Sequence, residues 1–249
     1  MSQYTIRPLC LGYITRPKKN FFEDYTGTEI EPFPINAFYL TDGVHKIVVD
    51  NGGCSPDLTG LPRGVAGKPY TRTQDQVIDV ALNNIGVDIR EIEAVLFTHL
   101  HWDHAFNTHL FSPSTRLLCQ KRELESLDDP DEPSNQIGYV REYLSRFTYE
   151  LIDGDAEIFP GISVLYTPGH TIGCQSIVVD TELGPVIITG DLIPLQESWY
   201  NDPPKGNGLC YNEVSRDNMH KSMDKLRKIS TKILTGHDNS VFSPGMGLR

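Results

Sequence analysis

Long apolar runs are missing from this chain: no stretch of its 249 residues approaches the roughly 20 apolar residues that a membrane-spanning helix needs, so no membrane partner is expected. Met1 to Leu11 has neither a basic start nor an apolar centre, so a secretory leader is not expected and the chain reads as cytoplasmic. Cysteine is sparse. The 5 cysteines, Cys10, Cys54, Cys119, Cys174 and Cys210, are odd in number and scattered, which excludes a disulfide-stapled scaffold and fits reduced thiols. Positive charge is short as well. With 22 Lys and Arg against 33 Asp and Glu, the net charge of -11 opposes a phosphate backbone, so nucleic acid is not an expected partner. Arg16-Pro17-Lys18-Lys19 is a local exception, and a run this short reads as a solvated loop. A composition of 39% hydrophobic and 22% charged residues is ordinary for a globular protein, and residues 1–249 are expected to form a single domain around one core.

What the chain does have is Thr98-His99-Leu100-His101-Trp102-Asp103-His104, directly after the apolar stretch Ala94-Val95-Leu96-Phe97. His99, His101, Asp103 and His104 are four potential metal ligands within six residues. Bringing imidazoles and carboxylates together near a core is costly unless a cation neutralises and orients them. Three later segments repeat the arrangement with single residues. Thr167-Pro168-Gly169-His170 follows the apolar run Ile162 to Tyr166, Thr189-Gly190-Asp191 follows Val186-Ile187-Ile188, and Thr235-Gly236-His237-Asp238 follows Ile233-Leu234. Short runs rich in β-branched residues read as buried strands, and a Gly ahead of each ligand lets the backbone turn at a rim. Four strand ends can therefore deliver seven ligands to one place.

The order His-x-His-x-Asp-His, Gly-His, Gly-Asp, Gly-His resembles the metallo-β-lactamase superfamily of hydrolases, over most of the chain. Branches of that superfamily use such a site on thioesters, lactones, phosphodiesters and sulfate esters. The chain length, Thr167 to Ser176 and the late Gly236-His237-Asp238 look most like the acyl-homoserine-lactone lactonase group. The resemblance implies an α/β fold, an αββα sandwich of two mixed β-sheets flanked by helices. It implies one metal held by His99, His101 and His170, a second held by Asp103, His104 and His237, and Asp191 bridging them. Mixed imidazole and carboxylate ligands suit zinc, so two Zn²⁺ per chain is the expected cofactor, although iron, cobalt or manganese suits the same residues. A Glu in place of His101 would mark the di-iron branch.

A hydroxide between two such ions is available near neutral pH, because metal binding lowers the pKa of water from about 15.7 towards roughly 7. Asp103 and Asp191 are the catalytic candidates, orienting that hydroxide and moving its proton. The expected activity is opening of a small-molecule lactone or related ester. A thioester hydrolase of the glyoxalase II type is the alternative within the fold, and a non-catalytic metal-binding protein the alternative of another class. The lactonase group has a Tyr three residues after the bridging Asp, whereas this chain reads Asp191-Leu192-Ile193-Pro194. Tyr200 or Tyr211 is the candidate replacement.

The remainder reads as scaffold and pocket. Ala37 to Leu40 and Lys46 to Asp50 are expected strands joined at Thr41-Asp42-Gly43. Thr73 and Gln76 form a capping box opening a helix through Val77, Ala81, Leu82 and Ile85 that closes at Gly86. A second helix is expected from about Ser215 to Ile229, with Met219, Met223, Leu226 and Ile229 on its buried face. Thr15–Ile35, Asp128–Tyr149 and Leu195–Tyr211 are expected to be irregular, with Phe22, Trp199 and Tyr200 lining a substrate cavity. Their aromatics also suggest a homodimer contact. Asp238 is the expected carboxylate partner of His237, while His45, His109 and His220 are expected to lie outside the metal site.

Overall fold

Period-two alternation of apolar side chains sets the layers of this protein. The computed structural model describes residues 3–22, 25–53, 70–129, 140–200, 209–210 and 212–243. Among these, β1 (Thr5–Pro17), β2 (Ile30–Thr41), β3 (Lys46–Val49), β4 (Tyr70–Thr71), β5 (Ala94–Leu96), β6 (Arg116–Gln120) and β7 (Glu150–Ile152) form one sheet in the order β4-β1-β2-β3-β5-β6-β7. β8 (Ala156–Phe159), β9 (Ile162–Tyr166), β10 (Gln175–Thr181), β11 (Gly184–Ile188) and β12 (Ile233–Leu234) form a second, in the order β12-β11-β10-β9-β8. Both sheets are mixed. β3, β5, β6 and β7 run parallel to one another, and β12 runs parallel to β11, against antiparallel pairs elsewhere. The helices are α1 (Ile78–Asn84), α2 (Trp102–Ala105), α3 (Lys121–Ser126), α4 (Arg141–Leu144), α5 (Gln196–Tyr200) and α6 (Glu213–Arg227).

Successive strand residues face opposite sides of a sheet, and the core divides accordingly. Ile47, Val49 and Leu96 join Val164, Ile177 and Ile188 of the second sheet in the core between the sheets. Their neighbours Val48 and Val95 turn outward to a cluster containing Ile78 and Leu82 of α1. On the far side, Ile187 and Ile233 pack with Met219, Met223 and Leu226 of α6. Burying each of those α6 side chains contributes roughly 1.5–3 kcal/mol. The result is the αββα sandwich expected from the sequence.

Local differences have local causes. The Thr73 N–H donates to Gln76 Oε1 at 2.9 Å, as a capping box requires, but Val77 is extended, so a 3₁₀ turn at Gln74–Gln76 precedes α1. α6 begins two residues before the expected Ser215 because Asn212 caps it: Asn212 Oδ1 accepts from the Ser215 N–H at 2.8 Å and Ser215 Oγ accepts from the Asn212 N–H at 3.0 Å. The helix ends at Arg227, leaving Ile229 beyond it and 40% exposed. Much of the expected irregular stretch Thr15–Ile35 is strand, with Pro17 opposite Ile30 and Arg16 opposite Glu31. Pro17, Pro32 and Pro34 withhold ladder donors, yet all three lie in the paired register. α4 and α5 lie within the other two stretches expected to be irregular. Among the described residues, no helix is long and apolar enough to cross a membrane.

Candidate metal centre

Four strand ends meet at one edge of the sandwich. β5 runs out through Phe97 and Thr98 into His99 and His101, and His101 leads into α2, which carries Asp103 and His104. β9, β11 and β12 run out to His170, Asp191 and His237 respectively. Two glycines permit the convergence. Gly190 has φ +50° and a Cβ there would overlap the Thr98 side chain, while a Cβ on Gly236 would come within 2.8 Å of Asp191 Oδ1.

All seven residues anticipated as ligands are buried, none more than 7% exposed. They form overlapping groups that could each hold an ion: His99, His101 and His170; His99, His104 and Asp191; and Asp103, His104 and His237, with candidate ligand atoms within 4.8 Å of one another in each. Asp191 lies between the first group and the last. Its Oδ1 is 3.3 Å from His104 Nε2 and 3.0 Å from His237 Nε2, and its Oδ2 is 3.5 Å from His170 Nε2. His170 Nε2 and His101 Nδ1 converge to 2.9 Å, and His237 Nε2 is 3.8 Å from Asp103 Oδ2.

The donor set fits divalent cations. His99 Nε2 is buried without a hydrogen-bond partner among the described residues, a position that normally costs free energy and that a metal would relieve. Burial, reinforced by the nearby His104, His101 and His170, pushes the His99 pKa well below its usual value, and burial also lowers that of His170. Both therefore present the neutral imidazole that metals bind. Burial opposes protonation of His104, but the Asp191 and Asp50 carboxylates outweigh it and hold its pKa well above the usual value. Burial would raise Asp191, yet His237 and His104 keep it well below the usual carboxylate range.

The supporting hydrogen bonds lay largely outside sequence reasoning. Asp50, just past β3, takes a left-handed φ of +57° and aims its carboxylate at the centre. Its Oδ2 is 2.8 Å from His104 Nδ1 and accepts from Thr98 Oγ1 at 2.8 Å, while Oδ1 accepts from the Thr98 N–H at 2.8 Å. The signal available was a carboxylate ending the apolar run Ile47-Val48-Val49. His170 Nδ1 lies 3.0 Å from the Leu209 carbonyl, a contact with no sequence signature. Asp238 does not take its expected role. His237 Nδ1 lies 2.8 Å from the Pro34 carbonyl, and Asp238 instead accepts from the N–H groups of Gln196 at 2.9 Å and Ser240 at 2.8 Å. Pro34 can take that part because the β1–β2 hairpin carries β2 alongside the 235–238 loop, where the Asn36 side chain also donates to the carbonyls of Thr235 and Asp238.

His45 and His109 lie outside the centre, paired with Glu93 and Tyr143 respectively, both at 2.9 Å, and His220 belongs to none of the metal groups. Phe22 is buried beside Tyr25, with Lys18 Nζ 5.5 Å from its ring centre; it is the adjacent Phe21 whose ring stands 5.5 Å from that of His237. Trp199 is buried with Met219 and Leu226, donates Nε1–H to the Thr231 carbonyl at 3.0 Å and has Arg227 over its ring. Tyr200 is exposed and its hydroxyl donates to the same carbonyl at 3.2 Å. Tyr211, Tyr139 and Cys54 lie outside the described residues. At Pro194, where the lactonase group carries Tyr, the carbonyl accepts the His237 N–H at 3.0 Å. These contacts predict that Trp199→Ala lowers stability by roughly 3–5 kcal/mol in urea unfolding, and that Phe22→Ala also destabilises; a raised KM with unchanged stability in either variant would return that residue to the pocket wall.

A two-sheet sandwich whose strand ends gather five imidazoles and two carboxylates defines a metal-binding α/β fold. The metallo-beta-lactamase superfamily model matches residues 30–237, and the chain belongs to that superfamily. An N-acyl homoserine lactonase from a Bacillus species is 28% identical over 221 residues, covering 86% of this chain and 84% of the relative. Among solved structures, a Bacillus thuringiensis lactonase, AiiA, with N-decanoyl-L-homoserine at its active site superposes with a TM-score of 0.80 at 24% identity, covering 97% of this chain and 96% of that one. AidC, a dizinc quorum-quenching lactonase in complex with a product, has a TM-score of 0.69 at 16% identity, covering 96% and 89%. The two structural likenesses are likenesses of fold.

Proposed function

We propose that this protein is a two-zinc hydrolase that opens a lactone ring or a related ester. The observation that carries the reading is the position of Asp191, whose two oxygens face opposite groups of ligands, Oδ1 towards His104 and His237 and Oδ2 towards His170. His99, His101 and His170 would hold one ion and Asp103, His104 and His237 the other, with Asp191 shared. When bound, such ions lower the pKa of water to around 7 and polarise a carbonyl oxygen.

The chain's own groups supply orientation and proton handling. Asp191 is held ionised by His237 and His104, so it stays an acceptor and orients an attacking oxygen. Asp103, at the start of α2, is the carboxylate we assign to receive that oxygen's proton and return it to the departing alkoxide. His99 and His170 are held neutral chiefly by burial, which keeps them ligands rather than proton carriers. The lactone assignment rests on the relative named an N-acyl homoserine lactonase, similar over most of both chains.

The test combines elemental analysis with a substrate panel on one preparation: acyl-homoserine lactones of several chain lengths, thioesters and phosphodiesters. The expected outcome is two zinc ions per chain and lactone opening that disappears on chelation and returns with added zinc. Thioester cleavage without lactone opening would move the protein to the glyoxalase II type. Fewer than one metal per folded chain in a zinc-supplied sample would remove the reading altogether.

A further inference from the structure

Glu123, in α3, is 0% exposed. Taking a carboxylate out of water costs several kcal/mol unless its oxygens find good donors, so the donors it finds matter. Two of them lie in different loops. Oε1 accepts from the Leu100 N–H at 2.8 Å, and Oε2 accepts from the Thr171 hydroxyl at 2.7 Å. Leu100 lies between His99 and His101, and Thr171 directly follows His170. One carboxylate thus ties together the two backbone segments that carry the all-imidazole group.

Two further observations point the same way. A Cβ on Gly173 would overlap the backbone of Glu123, so the loop after His170 lies directly against α3 at this residue. The other group is held by different means, His104 through Asp50 at 2.8 Å and His237 through the Pro34 carbonyl at 2.8 Å. We propose that Glu123 is a positioning residue that sets the spacing of His99 and His101 against His170, and thereby the metal affinity of that group, without governing the group of Asp103, His104 and His237. The inference rests on the two-zinc reading. Its basis is geometric, because a Gln side chain can accept from the Leu100 N–H and donate to the Thr171 hydroxyl, which turns its own proton towards Cys174 Sγ, 3.0 Å away.

The experiment measures zinc affinity by competition with a chromophoric chelator in two backgrounds, each retaining one intact group. In His237→Ala, where the all-imidazole group remains, adding Glu123→Ala is expected to weaken zinc binding roughly 10–100-fold, while Glu123→Gln stays within about threefold of its parent. In His101→Ala, where the other group remains, Glu123→Ala is expected to change affinity less than about threefold. Thr171→Val, which removes only one arm, is expected to cost about fivefold in the first background, the equivalent of one hydrogen bond, and keeps the test open if Glu123→Ala fails to fold. Equal weakening in both backgrounds, no weakening in the first, or no recovery in Glu123→Gln would overturn the proposal. A wild-type chain that takes up no zinc would overturn the two-zinc reading itself, a result distinguishable from any of these.

Discussion

Asp191→Asn is expected to lower kcat/KM for the lactone substrate at least about a thousandfold, equivalent to ~4 kcal/mol of lost transition-state stabilisation. Asparagine keeps the size of the side chain and one carbonyl oxygen. It loses the negative charge and presents an amide nitrogen to one ligand group, where the native residue offers an anionic oxygen to each. Metal content is expected to fall from two ions to one or fewer, because no shared anion would then offset the repulsion between two dications. The metal-free protein should also lose stability, since the same carboxylate lies 3.0–3.3 Å from two buried imidazoles. A variant that retains two zinc ions and activity within tenfold of the wild type would show that Asp191 is not the shared ligand.

Asp50→Ala is expected to destabilise the protein by about 3–5 kcal/mol, a large effect for a residue outside the ligand set. Truncation leaves the Thr98 N–H, the Thr98 hydroxyl and His104 Nδ1 without the acceptor they share. Each buried donor left unsatisfied costs about 1–3 kcal/mol. Alanine must also occupy a φ of +57°, which adds about 1 kcal/mol for a residue with a Cβ and no local polar group. Zinc affinity at the group containing His104 should fall roughly 10–100-fold, since the carboxylate sets the tautomer and ring orientation of that imidazole. Asp50→Asn tolerates the left-handed backbone and keeps an acceptor oxygen, so it should lie between wild type and Asp50→Ala. Urea unfolding of the metal-free forms with zinc competition on the loaded ones provides the measurement; an Asp50→Ala protein as stable as wild type would refute the argument.

The centre was more legible in the sequence than its supports were. His99, His101, Asp103 and His104 crowd into one short segment, and His170, Asp191 and His237 each follow a Gly after an apolar run, so strand period and turn chemistry both place them at a rim. Asp50 stood in the same kind of place, but a lone carboxylate before Asn51-Gly52-Gly53 reads as an ordinary strand end. Glu123 had no signal, since Lys121-Arg122-Glu123 looks like a solvated charge run, and its burial comes with the approach of the Leu100 and Thr171–Gly173 segments. Asp238 misled because adjacency in sequence suggested contact with His237, whereas the acceptor is a backbone carbonyl 203 residues away.

Local chemistry written in the chain determined the strand runs, the four loops that end in ligands and the residue types able to bind metal, because each depends on spacing within a few residues. Tertiary structure alone decided which imidazole faces which carboxylate, which acceptor fixes each ring and which charges are buried. Those outcomes depend on how far β3, β5, β9, β11, β12 and α3 project at their shared edge, and that projection follows from packing between segments distant in sequence.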